Sequence, residues 1–240
     1  MSTINKDEIE KFSKLADEWW DLNGKFKPLH MFNPIRIEYI LETCKNHFNL
    51  KEQKLPLRGL TLLDIGCGGG LISEPMCRLG ADVTAIDASE KNINVASSHA
   101  KQNELNIKYL NDAPENISNN SKFDIILNLE VVEHVDDLNL YLQSCSKLLK
   151  KNGIMFTATI NRNLTSYVKA IVGAEYILRW LPIGTHDWNK FLKPEELEKL
   201  INDVGCSTID IKGLSFNPFF KVWKKSQDLS VNYIITAKKD

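Results

Sequence analysis

The sequence predicts an α/β fold, a mostly parallel sheet with helices on both faces. Short apolar runs alternate with stretches of helical periodicity, which is how strands and crossover helices are written. The first of these runs ends in a glycine-rich turn, and two strand-like runs close the chain without a helix between them. The last feature predicts an antiparallel pair at one edge of the sheet.

The chain has 240 residues, a net charge of -1 and 43% apolar residues, which suits one globular α/β domain with an extension. The charge balance offers no basic surplus for a nucleic acid, so no nucleic-acid partner is expected. Cys44, Cys67, Cys77, Cys145 and Cys206 are scattered, odd in number and free of CxxC pairs. They read as reduced thiols of a cytoplasmic protein. The polar N-terminus lacks the apolar core of a secretion signal.

Ile9, Phe12, Leu15 and Trp19 recur at helical spacing, and Ile37, Ile40 and Leu41 do so again after Pro34; a loop from Asn23 to Met31 separates them. Residues 1–55 are therefore expected to form an N-terminal helical extension, and residues 56–240 the main α/β domain. Leu60–Ile65 reads as the first strand, Leu71–Leu79 as a helix, Val83–Asp87 as a strand and Glu90–Lys101 as a helix. Ile107–Leu110 and Phe123–Leu129 read as the next two strands. Leu138 to Leu149 carries a helix stripe that Lys150-Lys151-Asn152-Gly153 is expected to cap. Ile154–Thr159 is the fifth strand. Pro194–Asn202 is a helix with Pro at its first position, and Thr208–Gly213 and Val231–Ala237 are the closing strands. That makes seven.

Asp64-Ile65-Gly66-Cys67-Gly68-Gly69-Gly70 joins the first strand to the first helix of the domain. Glycines there let the backbone turn tightly and let a ligand approach. A dinucleotide fingerprint fails, because Leu71 stands where the third glycine belongs. The run instead resembles the D-x-G-x-G-x-G motif of class I methyltransferases, which implies a Rossmann-like fold and S-adenosylmethionine as cofactor. Asp87 ends the second strand, 21 positions after Gly66, where a carboxylate can accept hydrogen bonds from ribose hydroxyls. Asp112 ends the third strand, where the adenine edge is expected.

Asn128-Leu129-Glu130-Val131-Val132-Glu133-His134 follows the fourth strand. Together with Leu29-His30-x-x-Asn33-Pro34-x-Arg36 and Gly184-Thr185-His186-x-Trp188-x-Lys190-Phe191, it makes the chain similar to the ubiquinone-biosynthesis O-methyltransferases. The resemblance spans about Phe12 to Lys238. It implies methyl transfer to phenolic oxygens of polyprenylated, catechol-like intermediates at two steps of that synthesis. It also implies that Arg36, Gly66, Asp87 and Leu129 contact the cofactor, with Gly68 beside them in the loop. Arg36 offers a bidentate fork for a carboxylate.

If a helical turn starts at Glu130, then Glu130, Glu133 and His134 share a face and could hold Mg²⁺ against the acceptor oxygens. Eukaryotic relatives, which look Mg²⁺-dependent, point the same way. The alternative is His134 or His186 as general base. A third reading leaves Glu133 as a helix-start acid and His134 as a packed side chain. Ser166–Leu181 is apolar nearly all round. It is expected to form a lid inserted near 163–192, either buried or touching anionic membrane lipid on the inner face of the membrane. Other enzymes of the quinone pathway are expected partners. The rival readings are a methyltransferase for another small acceptor and a non-catalytic module that binds the cofactor.

Overall fold

The computed structural model describes residues 2–168, 187–217, 220 and 222–240. Helix α1 (Lys6–Ser13) opens the chain and α2 (Lys27–His47) follows. The sheet and its helices then alternate: β1 (Thr61–Ile65), α3 (Ser73–Arg78), β2 (Asp82–Asp87), α4 (Glu90–Gln102), β3 (Lys108–Asn111), β4 (Phe123–Leu129), α5 (Leu138–Leu148) and β5 (Leu149–Ile160). A single turn α6 (Leu164–Ser166), α7 (Pro194–Asp203), β6 (Cys206–Asn217), β7 (Val222–Ser226) and β8 (Asn232–Lys239) complete it.

The strand order is β3-β2-β1-β4-β5-β8-β6-β7. The first five strands are parallel. β8 slots in antiparallel between β5 and β6, and β6 and β7 form the antiparallel edge. Eight strands replace the seven expected. β7 was not foreseen because its Val-Trp-Lys-Lys-Ser pattern is half polar and half exposed.

Successive residues of each strand face opposite layers. Leu62, Val83, Ile125 and Ile154 join α2 and α3 residues such as Ile40 and Met76 in one core. Leu63, Ile86, Ile126 and Met155 join Tyr141, Leu142, Leu197 and Ile201 in the other. The central strands are thus buried on both faces and read as continuous apolar runs.

Four local expectations need correction. The first helix ends at Ser13, and a 3₁₀ turn carries Ala16–Glu18. The loop expected at Asn23–Met31 is helical from Lys27, and Pro34 lies inside α2; Pro28 in its first turn is preorganised to start a helix. The cap at Lys150–Gly153 does not form: α5 runs straight into β5, and Asn152 takes the left-handed conformation inside the strand. Residues 130–137 are not helical. Glu130 has φ 58, outside the right-handed helical region, and α5 starts only at Leu138 behind the Asp137 cap.

Candidate active site

The strand order reverses between β1 and β4, so loops leaving their carboxyl ends diverge and open a crevice. A cavity of about 950 Å³ lies there. That is the upper end of the range for ligand pockets, roughly 300–1,000 Å³, and leaves room for two ligands. Arg36, Gly66, Gly68, Asp87, Asp112, Leu129, Glu130, Glu133 and His134 all line it. Ten candidate positions spread over the sequence thus reduce to one cavity and one residue, His186, outside the described residues.

The glycine loop is held from both sides. Gly66 and Gly68 take left-handed backbones, φ 67 and 54. A Cβ on Gly66 would sit 2.5 Å from Val131 Cγ2, and one on Gly68 would overlap the Trp19 ring. Trp19 stacks on Phe26 at 3.7 Å, and Trp20 Nε1 donates to the Gly69 carbonyl at 2.9 Å. The N-terminal segment therefore packs on the loop, a role for Trp19 and Trp20 that sequence reasoning missed. Their only signal was two large aromatics in a polar stretch.

Asp87 is fixed by three donors: Gly68 N at 2.9 Å, Ser89 N at 2.8 Å and Asn92 Nδ2 at 3.1 Å. Burial raises its carboxyl above the ordinary range and those donors pull it back. Asp87→Ala is expected to weaken S-adenosylhomocysteine binding about ten- to a hundredfold, since a hydrogen bond to a charged group contributes about 1.5–3 kcal/mol. Titration calorimetry reads it directly.

Asp64, on the neighbouring strand β1, is buried and accepts from Ser73 Oγ at 2.5 Å. Its carboxyl is pushed up to about 7, first by burial. The fold therefore keeps a proton that the unfolded chain releases near about 4, and stability falls as pH rises between those values. Asp87 and Glu133, also raised, act in the same sense. Asp64→Asn is expected to flatten the fall in melting temperature from pH 5 to 7.5, measured by scanning calorimetry. An unchanged slope would remove Asp64 from that account.

Arg36 is buried, its guanidinium 3.8 Å from the centroid of the Phe32 ring, and it ion-pairs with Glu130. Its Nε has no hydrogen-bond partner. Burial lowers its pKa, and the charges of Glu130 and Glu133 offset only part of that. Glu133 is buried beside Glu130 with Oε2 unpartnered. Desolvation first, then the Glu130 charge, hold its carboxyl well above the usual range.

His134 turns the other way. Its Nδ1 lies 2.9 Å from Glu8 Oε2, and Phe12 meets its ring edge-on at 5.2 Å. Lys190 Nζ approaches Glu8 at 3.4 Å. Hydrogen bonding to His134 is the main cause that lowers the Glu8 carboxyl to about 2. A carboxylate orienting an imidazole at a cavity wall is the arrangement of a positioned base. Glu8 lies 126 positions before His134, so no local pattern could have revealed the pair.

The expected Mg²⁺ site does not fit this arrangement. The shared helical face is absent, Glu130 is tied to Arg36 and His134 to Glu8. Among the described residues no three His, Cys, Asp or Glu side chains gather to hold a cation.

A methyltransferase-domain profile matches residues 63–157. The ubiquinone biosynthesis O-methyltransferase of Pelagibacter ubique is 60% identical over 98% of both chains. The chain belongs to the ubiquinone biosynthesis O-methyltransferase family. Members from Cereibacter sphaeroides and Bartonella quintana are 52% and 50% identical, covering 98% and 99% of this chain and 97% of their own. Among solved structures, magnesium protoporphyrin IX methyltransferase from Synechocystis with bound S-adenosylhomocysteine aligns with TM-score 0.66 at 17% identity, over 96% of this chain and 94% of its own. The N-methyltransferase NodS from Bradyrhizobium japonicum gives 0.65 at 13%, over 98% and 99%. These two share the fold of the family, which is the class I methyltransferase fold expected from the glycine loop.

Proposed function

We propose that the cavity between β1 and β4 holds S-adenosylmethionine beside a polyprenylated phenol and that the enzyme methylates the phenolic oxygen. The observation that carries this is the gathering of Arg36, Gly66, Asp87, Leu129 and His134 on one cavity large enough for both molecules. When bound, the cofactor supplies an electrophilic methyl on its sulfonium. The residues of this chain do the rest.

The cradle of Gly66, Gly68 and Asp87 positions the nucleoside, with Asp112 at the adenine end. Arg36 exchanges Glu130 for the cofactor carboxylate, to which its unpartnered Nε adds a second donor. Packing of residues 1–55 on the glycine loop, through Trp19 and Trp20, closes this side. The phenol, with a pKa of about 10, is mostly neutral at pH 7. His134, oriented by Glu8, accepts its proton as the oxygen attacks. The O–CH₃ bond forms, the S–CH₃ bond breaks, and S-adenosylhomocysteine leaves. Alignment of the two molecules supplies much of the rest, up to roughly 7–11 kcal/mol.

The test is methyl transfer from S-adenosylmethionine to a short-chain polyprenyl catechol, with and without EDTA. Turnover in both conditions is the expected result. Turnover that EDTA abolishes and Mg²⁺ restores would reassign Glu130, Glu133 and His134 to a cation. No turnover, with the cofactor shown to bind, would sink the acceptor class.

An acceptor of this kind resides in a membrane, and we infer peripheral contact with anionic lipid. No helix among the described residues is long and apolar enough to cross a bilayer. Leu164, Tyr167, Val168 and Phe220 are nevertheless exposed. Most of the apolar 166–181 segment and its lid lie outside the described residues. Recovery of the protein on phosphatidylglycerol vesicles but not on phosphatidylcholine vesicles is the expected outcome of a flotation assay.

A further inference from the structure

We propose that the β6–β7 hairpin and α2 form the groove that carries the isoprenoid tail of the acceptor, with Phe32, Phe216 and Trp223 as its wall. This rests on the polyprenyl-phenol reading above and assigns residues to a part of the substrate that the methyl-transfer chemistry does not touch.

The cavity lining divides chemically. Around the glycine loop it offers Asp87, Asn92 and Asp112, polar groups suited to a nucleoside. From α2, β6 and β7 it takes Phe32, Leu214, Phe216 and Trp223, with Ser215, Asp228 and Asn232 as the polar groups of the same C-terminal region. An isoprenoid has no hydrogen-bonding group, so the aromatic wall suits it and the nucleoside cradle does not.

That wall is built as an aromatic ladder. Phe216 and Trp223 are cross-strand partners on the hairpin, with ring centroids 5.4 Å apart. Trp223 in turn meets Phe32 of α2 at 4.1 Å. Phe32 carries Arg36 on its face, so the ladder begins beside the group assigned to the cofactor carboxylate. Lys225 clamps the hairpin to α2 through Glu38 at 3.0 Å and Glu42 at 2.6 Å. These pairs and the Phe32–Trp223 contact place the hairpin and α2 side by side.

The turn that joins the two strands of the ladder carries Phe220, 77% exposed and three positions before Trp223. An exposed apolar side chain therefore stands on the connection beside the aromatic wall, where a tail leaving the cavity for a lipid phase would pass.

The experiment compares kcat/KM for a tailless catechol and for catechols bearing one, two and four isoprenyl units. Wild-type enzyme, Trp223→Ala, Phe216→Ala and Phe220→Asp are each assayed. For the wild type the ratio of tailed to tailless kcat/KM is expected to rise about tenfold over the first units, the effect of burying a Leu-sized apolar group. Trp223→Ala and Phe216→Ala are expected to lose most of that rise. Phe220→Asp, at a position 77% exposed where substitutions usually cost little stability, is expected to lose only the gain from the longest tail. S-adenosylhomocysteine affinity and melting temperature establish that the inner variants are folded. Wild-type turnover that is independent of tail length would overturn the groove and leave the O-methyltransferase reading standing. The same holds for a ratio unchanged in all three variants. No turnover on any catechol would overturn the reading and the groove together.

Discussion

Replacing His134 by Ala is expected to lower kcat about 10²–10⁴-fold, the contribution of a positioned proton acceptor, while S-adenosylhomocysteine binds as before. The reason is geometric. His134 lines the cavity, and its Nδ1 lies 2.9 Å from Glu8 Oε2, so in the proposed mechanism Nε2 is the nitrogen that meets the acceptor. In that mechanism Glu8 acts as a positioning residue, so Glu8→Gln should lower kcat less than His134→Ala does, with little change in KM for the cofactor. Gln can still accept from Nδ1–H but lacks the charge that stabilises the imidazolium. The Glu8 carboxyl, lowered to about 2, stays ionised throughout any usable assay range. Its stabilising contribution is fully present above about 4.5 and fades only as pH falls toward 2. A purely structural pair would behave differently: both variants would lower melting temperature and leave kcat nearly alone. That result would dismiss the base. Glu8 holds His134, which both readings use, so the EDTA comparison and not Glu8→Gln separates the base from the Mg²⁺ alternative.

Arg36→Ala is expected to cost about 3–5 kcal/mol of stability in the ligand-free protein, measured by urea unfolding, because it leaves buried acids without their cation. Glu130 keeps some access to water and Glu133 can take up a proton, so the loss should lie toward the lower figure. Cofactor affinity should fall as well, and Arg36→Lys should not restore it. Lysine keeps the charge but neither the planar fork nor the stacking on Phe32. Arg36→Met combined with Glu130→Gln should recover most of the stability and none of the affinity. If the single variant unfolds like the wild type, the ion pair contributes no net stability and Arg36 is retained for the ligand alone.

Local patterns account for the parts that were legible in advance. The Phe123–Leu129 strand was read residue for residue, because a buried parallel strand is a continuous apolar run. The α4 start was marked by a capping serine, Ser89. The misreadings share a cause. The expected helix at Glu130 failed because a left-handed residue after β4 is chosen by the tertiary setting, where the Glu130 amide donates to the Ala158 carbonyl. The expected cap at Gly153 failed because β5 extends back to pair Leu149 with Phe123. β7 was missed because half its side chains face water.

The sequence by itself determined the fold class, the glycine loop with Asp64 and Asp87, and the membership of the family. Each is written in residues near one another along the chain, at spacings set by strand and helix geometry. Only the tertiary structure decided which distant groups meet. It set Glu8 against His134, Trp19 on Gly68, Arg36 on Glu130 and Phe32 on Trp223. These pairs are separated by 49 to 191 positions, and what joins them is packing of the N-terminal segment against the glycine loop, the end of β4 and the β6–β7 hairpin. Apolar burial is non-directional and roughly proportional to area, so its strength can be read from composition, but the partners it brings together cannot.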